Sequence, residues 1–432
     1  MSRRLLWLLL TCLPWSTAAA AAAASPAAMP TVVVLSWDGV RHDHPDRVEL
    51  PGLARMARGE GVRAGRLIPV FPSNTFPTHV SLATGAYPGR HGILDNQFID
   101  RTRPRGQDRY DKSADANWIE AEPLWIAAER QGVPAATYFW VGSETDWRGR
   151  GTRFREAPFD GGRPEADKVD RILAWLALPP AQRPGLIMSY WAGTDGEGHD
   201  RGPDSGAVFS ALRAQDAQLQ RLLAGIDALG AWPQTTLVVV SDHGMTAVSR
   251  PLDPGAALAA AGIGARITGT AVAQVYLDDP QQAEAAAAAL ADLGPVRAYR
   301  RGALPPHWHL QHPTRSGDLT LVVDPPYVLS WPAGVAGLAR SLQVRLGMAV
   351  GGHGYEPRHP DMAGIFLAMG RGVTADLVLP EVQQIDLAAT VARLLDIDPP
   401  ASSEGRAIPG IGDGLMTQHR ALHESRRGRS NE

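Results

Sequence analysis

Thr31-Val32-Val33-Val34-Leu35-Ser36, followed at once by Trp37-Asp38-Gly39, is the stretch from which the fold can be read. The run is β-branched and continuous, without the polar alternation of a strand that has one wet face. Such a strand is buried on both faces, as in a sheet covered by helices above and below. Ligands in open α/β sheets gather beyond the carboxyl ends of strands, so Asp38 stands where chemistry would be placed. Asp-Gly is equally a common turn, and these residues alone leave both readings open.

The same pattern recurs twice. Leu186-Ile187-Met188-Ser189-Tyr190-Trp191 precedes Asp195-Gly196-Glu197-Gly198-His199, and Thr236-Leu237-Val238-Val239-Val240-Ser241 precedes Asp242-His243-Gly244-Met245. Between them Val208, Phe209, Leu212, Leu219, Leu222, Leu223 and Ile226 repeat at helical spacing, and Val169 to Leu178 is amphipathic. Strand, helix, strand, with metal-ligand residue types at the strand tips, predicts a parallel, helix-flanked sheet. Further strands are expected at Ala135–Phe139 and Ile365–Met369. Helices are expected at Leu50–Gly61, His79–Gly85, Leu124–Gln131 and Val382–Leu395, with Phe71 through Pro77 as a loop. Residues 140–168 read as a substrate-facing loop, or equally as a plain surface loop. Residues 251–350 differ in character. Ala271–Leu277, Leu319–Val323 and an alanine-rich helix at 281–291 predict a smaller α+β insertion.

Composition sets the class. The 432 residues suffice for one large α/β domain or two ordinary ones, and 44% hydrophobic with 20% charged residues is ordinary for a soluble enzyme. A net charge of -3 offers no basic excess to displace counterions from a nucleic-acid polymer, while leaving small nucleotides open. Residues 1–28 read as a signal peptide: Arg3-Arg4, then Leu5 to Leu10, then an alanine tract. Pro14, Ser16 and Thr17 interrupt the apolar run, so no membrane insertion of the mature chain is expected. Export to the periplasm or beyond is implied. Cys12, the only cysteine, lies in that segment, so the mature protein has no disulfide. Residues 29–410 form the expected catalytic domain, and residues 411–432 a flexible polar tail.

Within Pro72-Ser73-Asn74-Thr75-Phe76-Pro77-Thr78-His79, Thr75 is the candidate nucleophile. A threonine hydroxyl needs a base or a metal to act, and no single downstream residue reads as that base. Asp38, Asp195, His199, Asp242, His243 and His353 offer scattered imidazoles and carboxylates instead. With the Thr75 oxygen they make seven donors, enough for two divalent metals, and this donor mixture suits zinc. Two ions can stabilise the attacking and leaving oxygens of an in-line displacement at phosphorus. His307, His309 and His312 lack an acidic or cysteine partner and read as exposed loop histidines.

These motifs carry a resemblance. Trp37-Asp38-Gly39, Thr75-Phe76-Pro77-Thr78-His79, Gly85-Ala86-Tyr87-Pro88, His91-Gly92-Ile93, Asp95-Asn96, Asp195 through His199 with Gly202-Pro203, Ser241-Asp242-His243-Gly244-Met245 and His353-Gly354-Tyr355 follow in the order and spacing of one family. From about Thr31 to Ala407 the chain resembles the nucleotide pyrophosphatase/phosphodiesterase family of the alkaline phosphatase superfamily. The resemblance implies an α/β fold, an alkaline-phosphatase-like three-layer sandwich. Its central sheet is mostly parallel with helices on both faces, and it carries the smaller α+β insertion. It implies two Zn2+ per chain, one held by Asp195, His199 and His353, the other by Asp38, Asp242 and His243, with Thr75 bridging towards them. Asn96 and the Thr75 backbone N–H would bind a non-bridging phosphate oxygen, and Phe76 and Phe159 would grip a nucleobase. Cleavage of nucleotide pyrophosphates and phosphodiesters through a phosphothreonine follows, releasing nucleoside monophosphate in a ping-pong reaction. Thr78 stands where the family often has Asn, Asn74 where it often has Lys, and Glu356-Pro357 where it has Asp-Asn; no ligand is lost, but substrate preference is left open. A phosphomonoesterase and a choline-type phospholipid phosphodiesterase are the alternatives on the same site.

Overall fold

A computed structural model describes residues 29–329, 335–413 and 415. The expected signal peptide at 1–28 lies outside the described residues, as does most of the expected tail from 411. The opening run folds as the strand Thr31–Trp37, buried along its whole length. It forms the middle of a nine-stranded sheet. Leu186–Trp191, Ala135–Tyr138 and Phe154–Glu156 lie in turn on one side of it. Thr235–Val240, Gly364–Gly370, Gly61–Ile68 and Leu377–Leu379 lie on the other, with Val382–Gln383 also on Gly61–Ile68. Gly364–Gly370 is antiparallel to both of its neighbours and the other pairings in this sheet are parallel.

Alternation along the central strand sorts the core into two layers. Val32 and Val34 pack with Leu82, Leu124, Ile126, Leu387 and Val391 on one face; Val33 and Leu35 pack with Leu53, Val169, Ile172, Leu212 and Leu219 on the other. Each face is closed by helices, so an unbroken apolar run from Val32 to Leu35 is what this position demands. The expected three-layer sandwich is therefore the fold. A third core, including Leu258, Val275, Leu290, Leu319 and Leu321, belongs to a four-stranded antiparallel sheet. Its order is Ala265–Gly269, Val272–Leu277, Leu319–Val322, Arg297–Arg300, with the helices Pro254–Ala260 and Ala283–Ala291 beside it.

Four expectations need correction. The helix expected to reach Gly61 ends at Ala57, and Gly61–Ile68 is a strand. Two glycines and two arginines gave that strand no apolar signature. The helix expected from His79 starts at Thr75, three residues inside the expected loop. Pro77 is compatible with this because a first-turn residue has no intrahelical use for an N–H. The segment 140–168 contains the edge strand Phe154–Glu156. The closing helix begins at Asp386, after the short strand Val382–Gln383.

Candidate active site

Sheet topology brings the predicted residues to one edge. Asp38 follows Trp37, Asp242 follows Val240 by two residues and Asp195 follows Trp191 by four, all at carboxyl ends of neighbouring parallel strands. Asp38-Gly39 is a turn, and it stands at the edge where the candidate residues gather. Gly39 has φ +73, and a Cβ there would lie 2.8 Å from Asp195 Cα. Only glycine lets the two strand ends approach this closely. Asp195–Arg201 is a short helix, so the four-residue spacing stacks Asp195 and His199 on one face.

The donor atoms converge. Asp38, Asp242 and His243 place one ligand atom each within 4.8 Å of one another, and so do Asp195, His243 and His353. His199 joins the second set: its Nε2 is 3.4 Å from Asp195 Oδ1 and 3.1 Å from His353 Nε2. His243 and His353 stack at 3.7 Å. Thr75 Oγ1 lies 3.3 Å from His243 Nε2.

Whether these residues suit metal ions can be tested on their hydrogen bonds. His199, His243 and His353 each direct Nδ1 at a carbonyl oxygen, of Gly351 (3.0 Å), Gly244 (2.9 Å) and Ser73 (3.1 Å). A carbonyl only accepts, so each Nδ1 carries a proton, and in the neutral ring Nε2 turns its lone pair to the site. The Nε2 atoms of His199 and His353 then face each other as two acceptors, an arrangement that a cation between them relieves. Asp38 Oδ1, Asp195 Oδ1 and Asp242 Oδ2 are buried without a hydrogen-bond partner. Burial, then Asp242 and Asp195, push the Asp38 carboxyl well above its ordinary value. Burial, then the neighbouring imidazoles of His243 and His199, hold His353 well below the usual imidazole value. Partnerless carboxylate oxygens beside imidazoles that turn Nε2 inward suit a divalent cation.

Thr75 opens the helix Thr75–Thr84. Among the first-turn amides, Phe76 N–H donates to Asn96 Oδ1 (2.9 Å), Pro77 has none, and Thr78 N–H donates to Asn74 O (3.1 Å). The Thr75 N–H and Asn96 Nδ2 have no partner among the described residues. Asp95 fixes both neighbours, accepting from Asn74 Nδ2 (2.7 Å) and from the Asn96 N–H (2.6 Å). Burial raises its carboxyl to about 7. Phe76 is half-buried and meets Tyr110 edge-on. Phe159 is 47% exposed and packs edge-on against Phe139 and Tyr190.

The residues around this set were harder to find. Tyr190 donates to Asp38 Oδ2 (2.7 Å). His79 donates from Nδ1 to Thr75 O (2.8 Å), and its Nε2 lies 2.8 Å from Ser36 Oγ. Its place four residues after Thr75 was the available signal, since i and i+4 share a helix face. The three insertion histidines do not converge. His307 is near Glu356 (3.4 Å) and His309 stacks on Tyr87. His312, expected to be exposed, is buried, and its Nδ1 accepts from the Arg315 N–H (3.2 Å).

Comparison with known proteins agrees with this architecture. Human ectonucleotide pyrophosphatase/phosphodiesterase 5 superposes with a TM-score of 0.75 at 24% identity, covering 89% of this chain and 98% of that one. The murine form gives 0.76 at 25% identity, covering 90% and 99%. An uncharacterized pyrophosphatase/phosphodiesterase of Schizosaccharomyces pombe is 31% identical over 354 residues, 79% of this chain and 71% of that protein. Rat ectonucleotide pyrophosphatase/phosphodiesterase family member 1 is 27% identical over 388 residues, and the match spans 42% of its length. Residues 32–356 match the type I phosphodiesterase / nucleotide pyrophosphatase family, and the chain belongs to that family.

Proposed function

We propose that this protein hydrolyses phosphodiester and pyrophosphate bonds of nucleotides through a phosphothreonine at Thr75, releasing nucleoside monophosphates. One observation carries the reading: Thr75 Oγ1 stands 3.3 Å from His243 Nε2, beside three partnerless carboxylate oxygens and three imidazoles whose Nδ1 atoms are tied to carbonyls. Asp195, His199 and His353 would hold one zinc ion, and Asp38, Asp242 and His243 the other, with Thr75 alongside. Bound there, the ions would ease ionisation of the Thr75 hydroxyl and offset charge on the attacking and leaving oxygens. The Thr75 N–H and Asn96 Nδ2 are preset donors for one non-bridging phosphate oxygen. Thr75 Oγ attacks phosphorus in line, the leaving group departs on the opposite side, and water cleaves the phosphothreonine in a second step. Phe76 and Phe159 would hold the base. A murine relative of the same fold was solved as an inactive threonine-to-alanine form in complex with AMP, which is in keeping with a nucleotide substrate. Residues 29–410 would act as one catalytic unit, with 251–350 as its insertion.

A monoesterase needs further cations at the third phosphate oxygen. Arg41, three residues after Asp38, is committed to Asp43 (2.5 Å), Asp204 (2.7 Å) and Met245 O (3.2 Å). The test compares kcat/KM of the zinc-loaded protein for a nitrophenyl phosphodiester, the monoester and a nucleoside-bearing diester. The nucleoside diester should be cleaved best, and Thr75→Ala should lose at least about 10³-fold while keeping its metal. Preference for the monoester would overturn the diester pocket; full activity of Thr75→Ala would overturn the nucleophile.

A further inference from the structure

The strand Leu186–Trp191 loses one of its neighbours before it reaches the site. On one side it stays paired with Thr31–Trp37 to its end, Trp191 beside Trp37, and the Asp38 N–H donates to Trp191 O (3.1 Å). On the other side Ala135–Tyr138 runs alongside only as far as Ser189. There Phe139 turns out of the ladder with φ +59, a backbone conformation that a bulky side chain rarely takes. Such departures gather at functional sites. The Phe139 ring meets Phe159 (5.4 Å between centroids), which also packs on Tyr190 (5.8 Å). The same turn takes the neighbouring strand away from Tyr190 O and the Ala192 N–H, which point to that side.

Two side chains of the helix Glu165–Leu176 stand in for that strand. Lys168 Nζ donates to Tyr190 O (3.0 Å), and Glu165 Oε1 accepts from the Ala192 N–H (3.1 Å). A residue of a neighbouring parallel strand makes the same two bonds, donating to one carbonyl and accepting from the N–H two residues on. The two side chains are three apart on one helix face and form an ion pair at 2.9 Å. Lys168 is only 2% exposed, and its ammonium lies 5.8 Å from the ring centroids of both Phe139 and Tyr190. Burying an ammonium is costly unless its partners are well placed. An apolar side chain would fill this space without that cost, but it would leave the Tyr190 carbonyl unbonded.

Resting on the reading in the preceding section, we propose that Glu165 and Lys168 are positioning residues for the reaction. They fix the strand end from which the Tyr190 hydroxyl reaches Asp38 Oδ2 (2.7 Å). They also fix the Tyr190 ring as backing for Phe159. One ion pair thereby couples the orientation of a candidate zinc ligand to an aromatic proposed to hold the base. Both side chains act through Tyr190 and the backbone beside it, not on the reacting atoms.

Lys168→Met alone strips Glu165 of its cation. The decisive variant is therefore Lys168→Met with Glu165→Gln, which removes the ion pair and keeps an acceptor for the Ala192 N–H. Lys168→Arg is the conservative control. Zinc affinity is read by competition with a chelator. KM and kcat are measured for the nitrophenyl ester of a nucleoside monophosphate and for methyl nitrophenyl phosphate, which has no base. The double variant should melt close to wild type in chelator and bind zinc about tenfold more weakly. Its KM for the nucleoside ester should rise about fivefold relative to that for the base-free diester, as expected when an aromatic contact is misplaced. Lys168→Arg should restore both. A double variant with zinc affinity and KM ratio unchanged from wild type would overturn the proposal and leave the pair as a fastener of its helix. A wild type that cleaves neither diester would overturn the phosphodiesterase reading instead. The zinc affinities, measured without substrate, would then still decide whether the pair positions Asp38.

Discussion

Tyr190 shows how much of a site can lie one residue away from its motif. Burial, then the charge of Asp38, push its phenol well above the ordinary value, so the hydroxyl remains a donor to Asp38 Oδ2. With that bond fixing one oxygen, Asp38 keeps Oδ1 for the site. Partners of metal ligands commonly tune affinity by 10–100-fold. Tyr190→Phe should fold normally, bind zinc about tenfold or more weakly in a competition with a chelator, and regain activity in excess zinc. Unchanged zinc affinity would mean the hydroxyl only fills space. His44 makes a second residue-scale case. It is fully buried edge-on to Phe209, with both ring nitrogens unpartnered. Burial, then Arg41, lower its pKa from 6.5 to about 4. As pH falls below 6.5 the unfolded chain takes up a proton that the folded chain refuses, so stability present at neutral pH is lost as pH drops through that window. The loss is on the order of 3 kcal/mol at most. His44→Leu should lose less stability than wild type between pH 7 and pH 5 in urea denaturation, and equal losses would rule this account out. The residues that the fold gathers as candidate ligands could be picked out by residue type and position after strands. Tyr190 could not, because a hydrogen bond between residues distant in the chain leaves no local pattern.

At the scale of elements, the strands with the strongest signal were those buried on both faces. Thr31–Trp37, Leu186–Trp191 and Thr235–Val240 are nearly all apolar or β-branched because helices cover both sides. Gly61–Ile68 was lost because several of its residues are only partly buried and carry no apolar run, and Phe154–Glu156 because three residues make no period. The start of the Thr75 helix was obscured by Pro72 and Pro77, yet its end was signalled by Gly85. That glycine has φ +66 and closes the helix by donating to Ser81 O (2.8 Å). A Cβ there would lie 2.2 Å from Ser403 Oγ and 3.2 Å from Ala388 Cβ. Gly85→Ala thus combines left-handed strain of about 1–2 kcal/mol with overpacking of about 1–3 kcal/mol. We expect a stability loss of about 3 kcal/mol in denaturant unfolding, partly recovered in Gly85→Ala with Ser403→Ala. If the single variant were as stable as wild type, this helix end would have to be more yielding than its contacts imply.

For the molecule as a whole, the candidate metal donors are drawn from positions 38 to 353 and from the ends of three parallel strands, a helix and the chain leaving the insertion. Ions at such a site stitch together segments that the sheet alone brings near, and they are absent from the unfolded state. Loading should therefore stabilise by mass action, about 4 kcal/mol at a thousandfold excess over Kd, read as a melting temperature that falls on chelation and returns with zinc. Without ions, Asp38, Asp195 and Asp242 confront one another in a space where each has a partnerless oxygen. This gives a substitution whose effect should change sign. In Asp242→Asn, Oδ1 can keep its bonds from the Gly39 and His243 N–H groups (3.1 and 2.9 Å). The new NH2 would face His243 Nε2, 3.2 Å from the present Oδ2, and would donate to its lone pair. One buried charge of the cluster disappears, a larger gain than the cost of turning an amide N–H toward His79 Nδ1, 3.4 Å from the present Oδ2. The variant should melt higher than wild type in chelator and lower than wild type in zinc. A variant less stable than wild type in both conditions would show that the cluster is held by packing and hydrogen bonds regardless of charge, and the case for a built metal centre would lose its thermodynamic support.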